Sequence, residues 1–327
     1  MGYTPSFSLT DTMLEVVAAI VERLGQISNI GALDNLPRLR RSGRIKSIHS
    51  SLAIENNTLS IEQMTDIING KRVLGSLNEI QEVKNAFDSY LEIKNANPSS
   101  IDDLLRIHGV MMKGLVERAG AFRSGQVGVF NESGIVIHMA PPPSNVPRLI
   151  KELFDWLKTS KAHPLIKSSV FHYEFEFIHP FMDGNGRMGR LWQTMILAAW
   201  KPIFAWIPIE SIVKKKQQEY YEAIRLSTSS GSSDPFIIFM LNAILEAVDD
   251  IVRDARQHIN HLSDRVRKLL EIMQDYPMSA NELMGLIGMK SRASFRANYL
   301  QPAIEAGLIG LTVPDKPTSR NQRYFKK

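Results

Sequence analysis

The chain contains no cysteine among its 327 residues. Without thiols it can form neither a disulfide nor a thiolate metal site, which excludes disulfide-stapled domains and cysteine-based zinc modules. Stability must come from burying apolar side chains. A chain of this length, with 44% hydrophobic residues, is ample for a full core and predicts two or three domains.

Long apolar runs are also missing. The longest, such as 195–200 and 236–241, have the length of core-helix segments and are too short to span a membrane. No charged-then-apolar leader opens the sequence, and no repeat or low-complexity stretch is present. We therefore expect a cytoplasmic, mainly α-helical globular protein without membrane contact, with turns at 97–98, 229–235 and 276–277.

One segment concentrates chemistry: residues 179–190, with the sequence HPFMDGNGRMGR. Its Gly184-Asn185-Gly186 turn has residues that tolerate positive φ, so successive backbone N–H groups can face one concavity, as a phosphate oxygen requires. The apolar pattern from Met188 onward predicts a buried helix. The turn therefore precedes a helix N-terminus, where free N–H groups and the helix dipole favour anions.

The other polar residues of this segment complete a phosphate-handling set. Arg187 and Arg190 are three apart, hence on one helical face, and guanidinium groups form forked hydrogen bonds to phosphate. Asp183 is a hard oxygen ligand suited to a Mg²⁺ ion that bridges phosphates. His179 has a side chain of near-neutral pKa, suited to accept the proton of an attacking hydroxyl.

The segment resembles the signature of Fic-domain proteins, His-x-Phe-x-Asp/Glu-Gly-Asn-Gly-Arg-x-x-Arg, at every fixed position. The resemblance implies an enzyme that uses MgATP and transfers AMP to a protein hydroxyl. It also implies a role for each matching residue. His179 would be the general base and Asp183 the Mg²⁺ ligand. The α-phosphate loop would be formed by Gly184, Asn185 and Gly186, and the outer phosphates would be contacted by Arg187 and Arg190.

A second match lies far from the first in sequence. Residues 51–57, SLAIENN, resemble the inhibitory motif of the same family, Ser/Thr-x-x-x-Glu-Gly/Asn-Asn. Helical apolar spacing leads into it, and Asn56-Asn57 predicts a helix C-terminus. The resemblance implies that Glu55, supported by Ser51 and Asn57, pairs with Arg190 and keeps ATP in an unreactive pose. A solvated helix-end glutamate is the alternative.

A β-hairpin is predicted within 120–138, with strands at 127–130 and 135–137 joined by the turn 131–134. In the family this position is the flap, so the resemblance implies that Val127, Gly128 and Val129 dock the target segment by strand addition. An ordinary surface hairpin is the alternative.

Two adjacent tyrosines, Tyr220 and Tyr221, occupy a place comparable to that of the family's adenine-stacking residue. Either a stacking role or a core position fits them, and the sequence leaves the choice open.

The pattern divides the chain into an N-terminal helical region at 1–95, a Fic core at 96–258 and a separate module at 259–327. In the last, a short capped helix ending near 285–288 precedes a longer helix at 291–307. A hairpin over 308–325 follows, which is the order of a winged helix-turn-helix.

The C-terminal module carries the chain's excess of basic charge. Residues 261–327 contain 11 Lys or Arg and 6 Asp or Glu, while the whole chain is +5. Arg292 and Arg296 lie one turn apart near the start of its second helix, with Arg320 and Arg323 on the wing. The module is predicted to contact DNA or, as winged helices also do, protein.

Together these features predict a protein adenylyltransferase restrained by Glu55, acting on a Ser, Thr or Tyr hydroxyl of a target protein. Self-modification, a homodimer and removal of AMP are further properties implied by the family. A related kinase branch has Lys in place of Gly186, and the Gly here favours AMP transfer. The alternatives are a Fic enzyme with another donor, or a DNA-binding regulator whose Fic core senses nucleotide.

Overall fold

The computed structural model describes residues 4–29, 37–130, 136–260, 264–317 and 319–327. The fold is mainly helical, as predicted. The helices are α1 (Asp11–Asn29), α2 (Pro37–Ile54), α3 (Ile61–Ile68), α4 (Leu77–Leu91), α5 (Ile101–Met111), α6 (Val146–Thr159), α7 (Pro164–Ile178), α8 (Asn185–Trp200), α9 (Ile209–Lys215), α10 (Gln217–Ser230), α11 (Asp234–Asn260), α12 (Asp264–Ile272), α13 (Ala280–Ile287), α14 (Arg292–Phe295) and α15 (Gln301–Glu305). The strands are β1 (Gly128–Phe130), β2 (Val136–Met139), β3 (Met278–Ser279), β4 (Ile309–Leu311) and β5 (Arg323–Lys326).

The chain forms two compact units, one of residues 1–21 and 41–248 and the other of residues 22–40 and 249–327. The predicted boundary near residue 95 does not separate compact units. Apolar side chains from both sides of it, such as Ile48, Leu52 and Val83 on one side and Phe175 and Leu191 on the other, share one core. Residues 41–95 and the predicted Fic core up to residue 248 are therefore one body.

Helices α7 and α8 form the centre of this core. Buried residues cover almost every position of α7, including Phe171 and Phe175, and α8 contributes Trp192 and Leu191. The two helices approach closely at Gly189, where a Cβ atom would lie 2.8 Å from Glu176 Oε1. The tight crossing fixes where the loop between α7 and α8 lies.

The end of α2 is set by Asn56, which has φ = 67°. Asn adopts this left-handed conformation more readily than most residues, and it stops a helix. Asn57 N–H then returns to the carbonyl of Leu52, at 3.1 Å. The predicted helix end is confirmed, and it places Glu55 at the tip of a buried helix.

Strands β1 and β2 pair antiparallel, with Gly128 opposite Met139 and an irregularity between Val129 and Phe130. The predicted hairpin is confirmed in its strands, while the predicted turn at 131–134 lies outside the described residues. The amide of Ala140 continues the pairing by donating to the carbonyl of Val127, at 3.2 Å.

The C-terminal unit has the predicted order of helix, turn, longer helix and hairpin. A capping box of Ser279 and Glu282 starts α13, and Gly288, at φ = 80°, ends it. The longer helix runs through α14, a π turn (Arg296–Leu300) and α15. Strands β3, β5 and β4 form one sheet in that order. Among the described helices, none is long and apolar enough to cross a membrane.

Candidate functional site

The loop between α7 and α8 has two residues in the left-handed region: His179, at φ = 50°, and Gly184, at φ = 83°. Asn185 closes the loop: its Oδ1 accepts from the amide of Phe181 at 2.8 Å, and its Nδ2 donates to the carbonyl of Phe181 at 2.9 Å. The Asn185 side chain therefore holds the loop. The first backbone N–H groups of α8 have no acceptor within the helix, and groups of this kind can bind an anion.

The loop also rests on α5. The ring of Phe181 is stacked on that of His108, with centroids 3.6 Å apart. His108 Nδ1 accepts from the amide of Gly120 at 2.8 Å, so its Nε2–H donates to the carbonyl of Asp183, at 3.1 Å. Burial lowers the pKa of His108 to about 4, which keeps this neutral tautomer. Nothing in the short signature pointed to His108.

Arg123 ties the loop to the hairpin. Its buried guanidinium donates to the carbonyls of His179 at 2.7 Å and Gly125 at 2.9 Å, and to that of Pro141 on the far side of the hairpin. A Cβ atom at Gly125 would lie 3.4 Å from the sulfur of Met182. The base of the hairpin, which precedes Val127 and Gly128, therefore adjoins the loop.

Arg190 contacts the second predicted motif. Its Nη2 lies 2.6 Å from Glu55 Oε1 and donates to the carbonyl of Ser51 at 3.0 Å, while its Nε donates to Ser51 Oγ at 3.0 Å. Burial alone would lower the pKa of Arg190, but Glu55, together with Tyr220 and Glu176, outweighs burial and raises that pKa. The Glu55 carboxylate passes so close to Gly186 that a Cβ atom there would lie 2.5 Å from Oε1.

Arg187 is held by two other carboxylates. Its Nη1 donates to Glu82 Oε1 at 2.9 Å, and its Nη2 donates to Asp183 Oδ1 at 3.1 Å. Asn57 Nδ2 donates to the second oxygen of Glu82, at 2.8 Å. Asn57, from the second predicted motif, is thus linked through Glu82 to the first signature arginine, a connection that the sequence did not reveal.

His179 is largely buried, with 16% of its side chain exposed. Its Nδ1 lies 3.3 Å from the carbonyl of Glu176. The tautomer with Nδ1–H donates to that carbonyl, and Nε2 then carries the lone pair that a general base needs.

The two tyrosines differ. Tyr220 is buried, and its O–H donates to His172 Nε2 at 3.2 Å, while His172 Nδ1–H donates to Gln193 Oε1 at 2.6 Å. The adenine contact predicted for Tyr220 is wrong, because its ring is enclosed in the core. Tyr221 is partly exposed, and the prediction stays open for it.

Asp183 carries an accessible carboxylate, 57% exposed, at the mouth of the loop. Among the described residues no cluster of three His, Asp or Glu side chains forms a ready metal site. Mg²⁺ in nucleotide enzymes is usually held by one or two carboxylates together with substrate phosphates and water. A single exposed carboxylate beside an anion-binding helix end fits that pattern.

Residues 98–197 match the Fic/DOC family, and residues 264–325 match the description "Filamentation induced by cAMP protein Fic-like, C-terminal domain". A Fic family protein from Desulfovibrio desulfuricans G20 has 46% identity, and the alignment covers 99% of this chain and 98% of that one, with a TM-score of 0.76. The chain belongs to the Fic family. Its predicted membership and mainly helical Fic fold are confirmed.

More distant relatives are named for an enzymatic activity. "Protein adenylyltransferase Fic" of Culex quinquefasciatus is 29% identical over 75% of this chain and 51% of its own length. That of Drosophila willistoni is 28% identical over 65% of this chain and 43% of its own length. The chain therefore spans about half the length of the curated relatives it matches. Fic-1 from C. elegans, at 21% identity and a TM-score of 0.60, shares the fold.

Buried His172 makes stability depend on pH. Burial lowers its pKa from 6.5 to about 3, so the folded protein keeps it neutral. Above pH 6.5 its contribution is complete. As the pH falls from 6.5 toward 3, the unfolded chain takes up a proton that the folded chain does not, and stability is lost. We expect the free energy of unfolding, measured in urea, to fall between pH 7 and pH 5, by up to about 2 kcal/mol from this residue.

His172→Gln should reduce this fall, whatever it does to stability at pH 7. An equal fall in the variant and the unmodified protein would contradict the assignment.

Proposed function

We propose that the chain is a protein adenylyltransferase that transfers AMP from MgATP to a Ser, Thr or Tyr hydroxyl. The observation that carries the proposal is the closed loop at the N-terminus of α8, with His179 before it and two buried arginines after it. The adenylyltransferase activity for which the insect relatives are named supports the proposal. The identity of the target protein is not encoded in this site.

In the proposed reaction, His179 Nε2 accepts the proton of the target hydroxyl. The hydroxyl oxygen forms a bond to the α-phosphorus as the bond between that phosphorus and the bridging oxygen of pyrophosphate breaks. The pyrophosphate leaves with the electron pair of the broken bond. Backbone N–H groups of Gly186 and its neighbours stabilise charge on the α-phosphate, and Arg187 and Arg190 hold the outer phosphates.

Asp183 is the residue that would hold Mg²⁺. A bound Mg²⁺ would neutralise charge on the phosphates and orient them. Asp183 Oδ1 accepts from Arg187 in this structure, so a bound Mg²⁺ would be a second cationic partner for a carboxylate that already has one.

We also propose that Glu55 restrains the reaction. Its carboxylate accepts from Arg190 Nη2, a nitrogen that would otherwise donate to a terminal phosphate. With Arg190 engaged, the γ-phosphate loses its anchor and the α-phosphate is not aligned with His179. The short contact with Gly186 supports this, because the carboxylate lies against the loop itself.

The hairpin is proposed to receive the target segment on the free edge of β1, which includes Gly128 and Val129. The base of the hairpin is joined to the loop through Arg123, so a strand added there would lie near His179. Self-modification, AMP removal, a homodimer and a different nucleotide donor remain compatible with this site.

The test uses ATP labelled on the α-phosphate, with Mg²⁺ and cell lysate. We expect weak labelling of protein by the unmodified chain and at least about tenfold more with Glu55→Gly, because Arg190 is released. Adding His179→Ala to Glu55→Gly should lower labelling by about 10²–10⁴-fold, the usual contribution of a general base.

Glu117→Gly is the matched control, since Glu117 is an exposed glutamate in a turn outside the site. It should label like the unmodified chain. Absence of labelling in every variant that still binds ATP would contradict AMP transfer. Equal labelling by the unmodified chain and Glu55→Gly would contradict the restraint.

A second candidate function concerns the C-terminal unit. Lys290, Arg292 and Arg296 are exposed around the start of its longer helix, and Arg320 is exposed in the segment between β4 and β5. In the part of the chain that the structure describes, none of these four forms an ion pair. Exposed cations near the start of one helix can contact the phosphates of duplex DNA, which an acidic or apolar surface cannot do.

This candidate predicts binding of duplex DNA that weakens steeply with salt, measured by fluorescence anisotropy. The double variant Arg292→Ala/Arg296→Ala should weaken binding at low salt by about tenfold or more and flatten the salt dependence by about two units of slope. Lys268→Ala, an exposed cation on α12, is the control and should change little. If Lys268→Ala weakens binding as much as Arg292→Ala/Arg296→Ala does, the binding would be a general attraction between a basic surface and DNA, and the proposed DNA site would be refuted.

A further inference from the structure

Glu176 is a buried carboxylic acid that the proposed reaction does not use. It lies in the last turn of α7, with 4% of the residue exposed, and its Oε1 has no hydrogen-bond partner. Buried carboxyl oxygens are normally paired, because an unpaired one has lost its hydration without replacement. A buried carboxyl group with one unpaired oxygen and its other oxygen beside a reactive centre therefore points to a role other than stability.

The position of Glu176 is behind His179. Its Oε2 lies 3.8 Å from His179 Nδ1, and its own backbone carbonyl lies 3.3 Å from the same nitrogen. The other oxygen, Oε1, lies 3.8 Å from His172 Nε2, but that nitrogen already accepts from Tyr220. The Glu176 carboxyl is therefore 3.8 Å from each histidine, and its Oε2 adjoins the ring nitrogen of His179 that faces away from the reaction.

Charged and titratable groups surround Glu176 on every side. His172 faces it from the same helix, and His179 from the position just after that helix. Arg190 faces it from α8, and Glu55 from the tip of α2. Tyr220 and Tyr221 on α10 also interact with it electrostatically. Burial raises the pKa of Glu176 to about 8; Arg190 opposes the rise and Glu55 adds to it. Removing the Glu55 charge therefore favours the ionised form of Glu176.

We propose that Glu176 is a positioning residue for His179, whose ionised carboxylate stabilises the imidazolium formed when His179 accepts the target proton, and that departure of Glu55 favours this ionised state. The inference rests on the proposed adenylyl transfer. The proton passes from the hydroxyl to Nε2, and the positive charge spreads to Nδ1–H, which faces Glu176. The carboxylate does not take up the proton, as in other His–carboxylate pairs where the carboxylate orients the imidazole and stabilises its charged form.

The inference gives Glu55 two effects. Its carboxylate occupies Arg190, and its negative charge adds to the effect of burial, which favours the protonated and therefore silent form of Glu176. Release of Glu55 would free the phosphate site and strengthen the base in one step.

The first test does not depend on transfer. The ring resonances of His179 are followed by NMR in ¹³C-histidine-labelled full-length protein and assigned with His179→Ala. In the unmodified chain we expect His179 to show two titration steps, one of them at the pKa of Glu176, because the two groups are coupled. Glu176→Gln should leave a single step, and Glu55→Gly should move the upper step to lower pH.

The second test measures the pH profile of transfer at saturating ATP in Glu55→Gly. The rate should rise with pH as Glu176 ionises. Adding Glu176→Gln should abolish that rise and lower the rate at high pH by about tenfold or more, with the KM for ATP little changed. Glu176→Asp should restore part of the rise. Glu174→Gln, a buried glutamate on the other side of α7, is the matched control and should keep the rise.

A single His179 step in the unmodified chain, or two steps that persist in Glu176→Gln, would overturn the inference. If Glu176→Gln does not fold, Glu176→Asp decides: an unchanged upper step would overturn it, and a displaced one would support it. Two-step titration without any transfer would refute adenylyl transfer and leave the Glu176–His179 coupling standing. If transfer occurs and its pH profile is the same in Glu55→Gly with and without Glu176→Gln, only the coupling of Glu176 to His179 would be refuted.

Discussion

The ion pair between Glu55 and Arg190 joins residues 135 positions apart in sequence, and the arrangement of the site depends on it. Arg190 is almost wholly buried, so its charge needs a partner inside the protein. In this structure that partner is a carboxylate at the tip of α2. In the proposed reaction it is a phosphate. In this proposal the buried guanidinium acts as a switch, because the carboxylate and the phosphate would compete for the same nitrogen, Nη2.

The surrounding hydrogen bonds make the switch more than a single contact. Asn57, two residues beyond Glu55, binds Glu82, which in turn binds Arg187. Movement at the end of α2 therefore reaches both signature arginines. On the other side, His108 and Arg123 fix the loop and the base of the hairpin through backbone carbonyls, so these parts of the site are already in place.

The sequence was sufficient for the elements whose chemistry is local. The Gly-Asn-Gly turn, the end of α2 at Asn56-Asn57 and the helix order of the C-terminal unit follow from residues adjacent in the chain, and the structure has them. Partners from distant helices were not predictable. Glu82 and His108 stand in ordinary helical patterns, and only packing brings them to the loop.

Two expectations failed for a related reason. Burial is a property of packing and not of residue type, so Tyr220 was not distinguishable from Tyr221 as an adenine contact. The boundary near residue 95 was drawn at a turn signal, but a turn ends a helix without ending a core. Apolar faces of α2, α3 and α4 pack on the same core as α8. The segment 51–57, which contains Glu55, is consequently part of the same body as the loop that it contacts.

The central claim is that Glu55 and the terminal phosphate of ATP compete for Arg190. The most direct measurement is the ratio of ATP to ADP affinity, by isothermal titration calorimetry, for the unmodified chain, Glu55→Gly, Arg190→Ala and the double variant. We expect Glu55→Gly to raise the preference for ATP by about tenfold, and no such gain when Arg190 is absent, which gives a coupling of about 1–2 kcal/mol in the double-mutant cycle. A gain of the same size in the Arg190→Ala background would contradict the account.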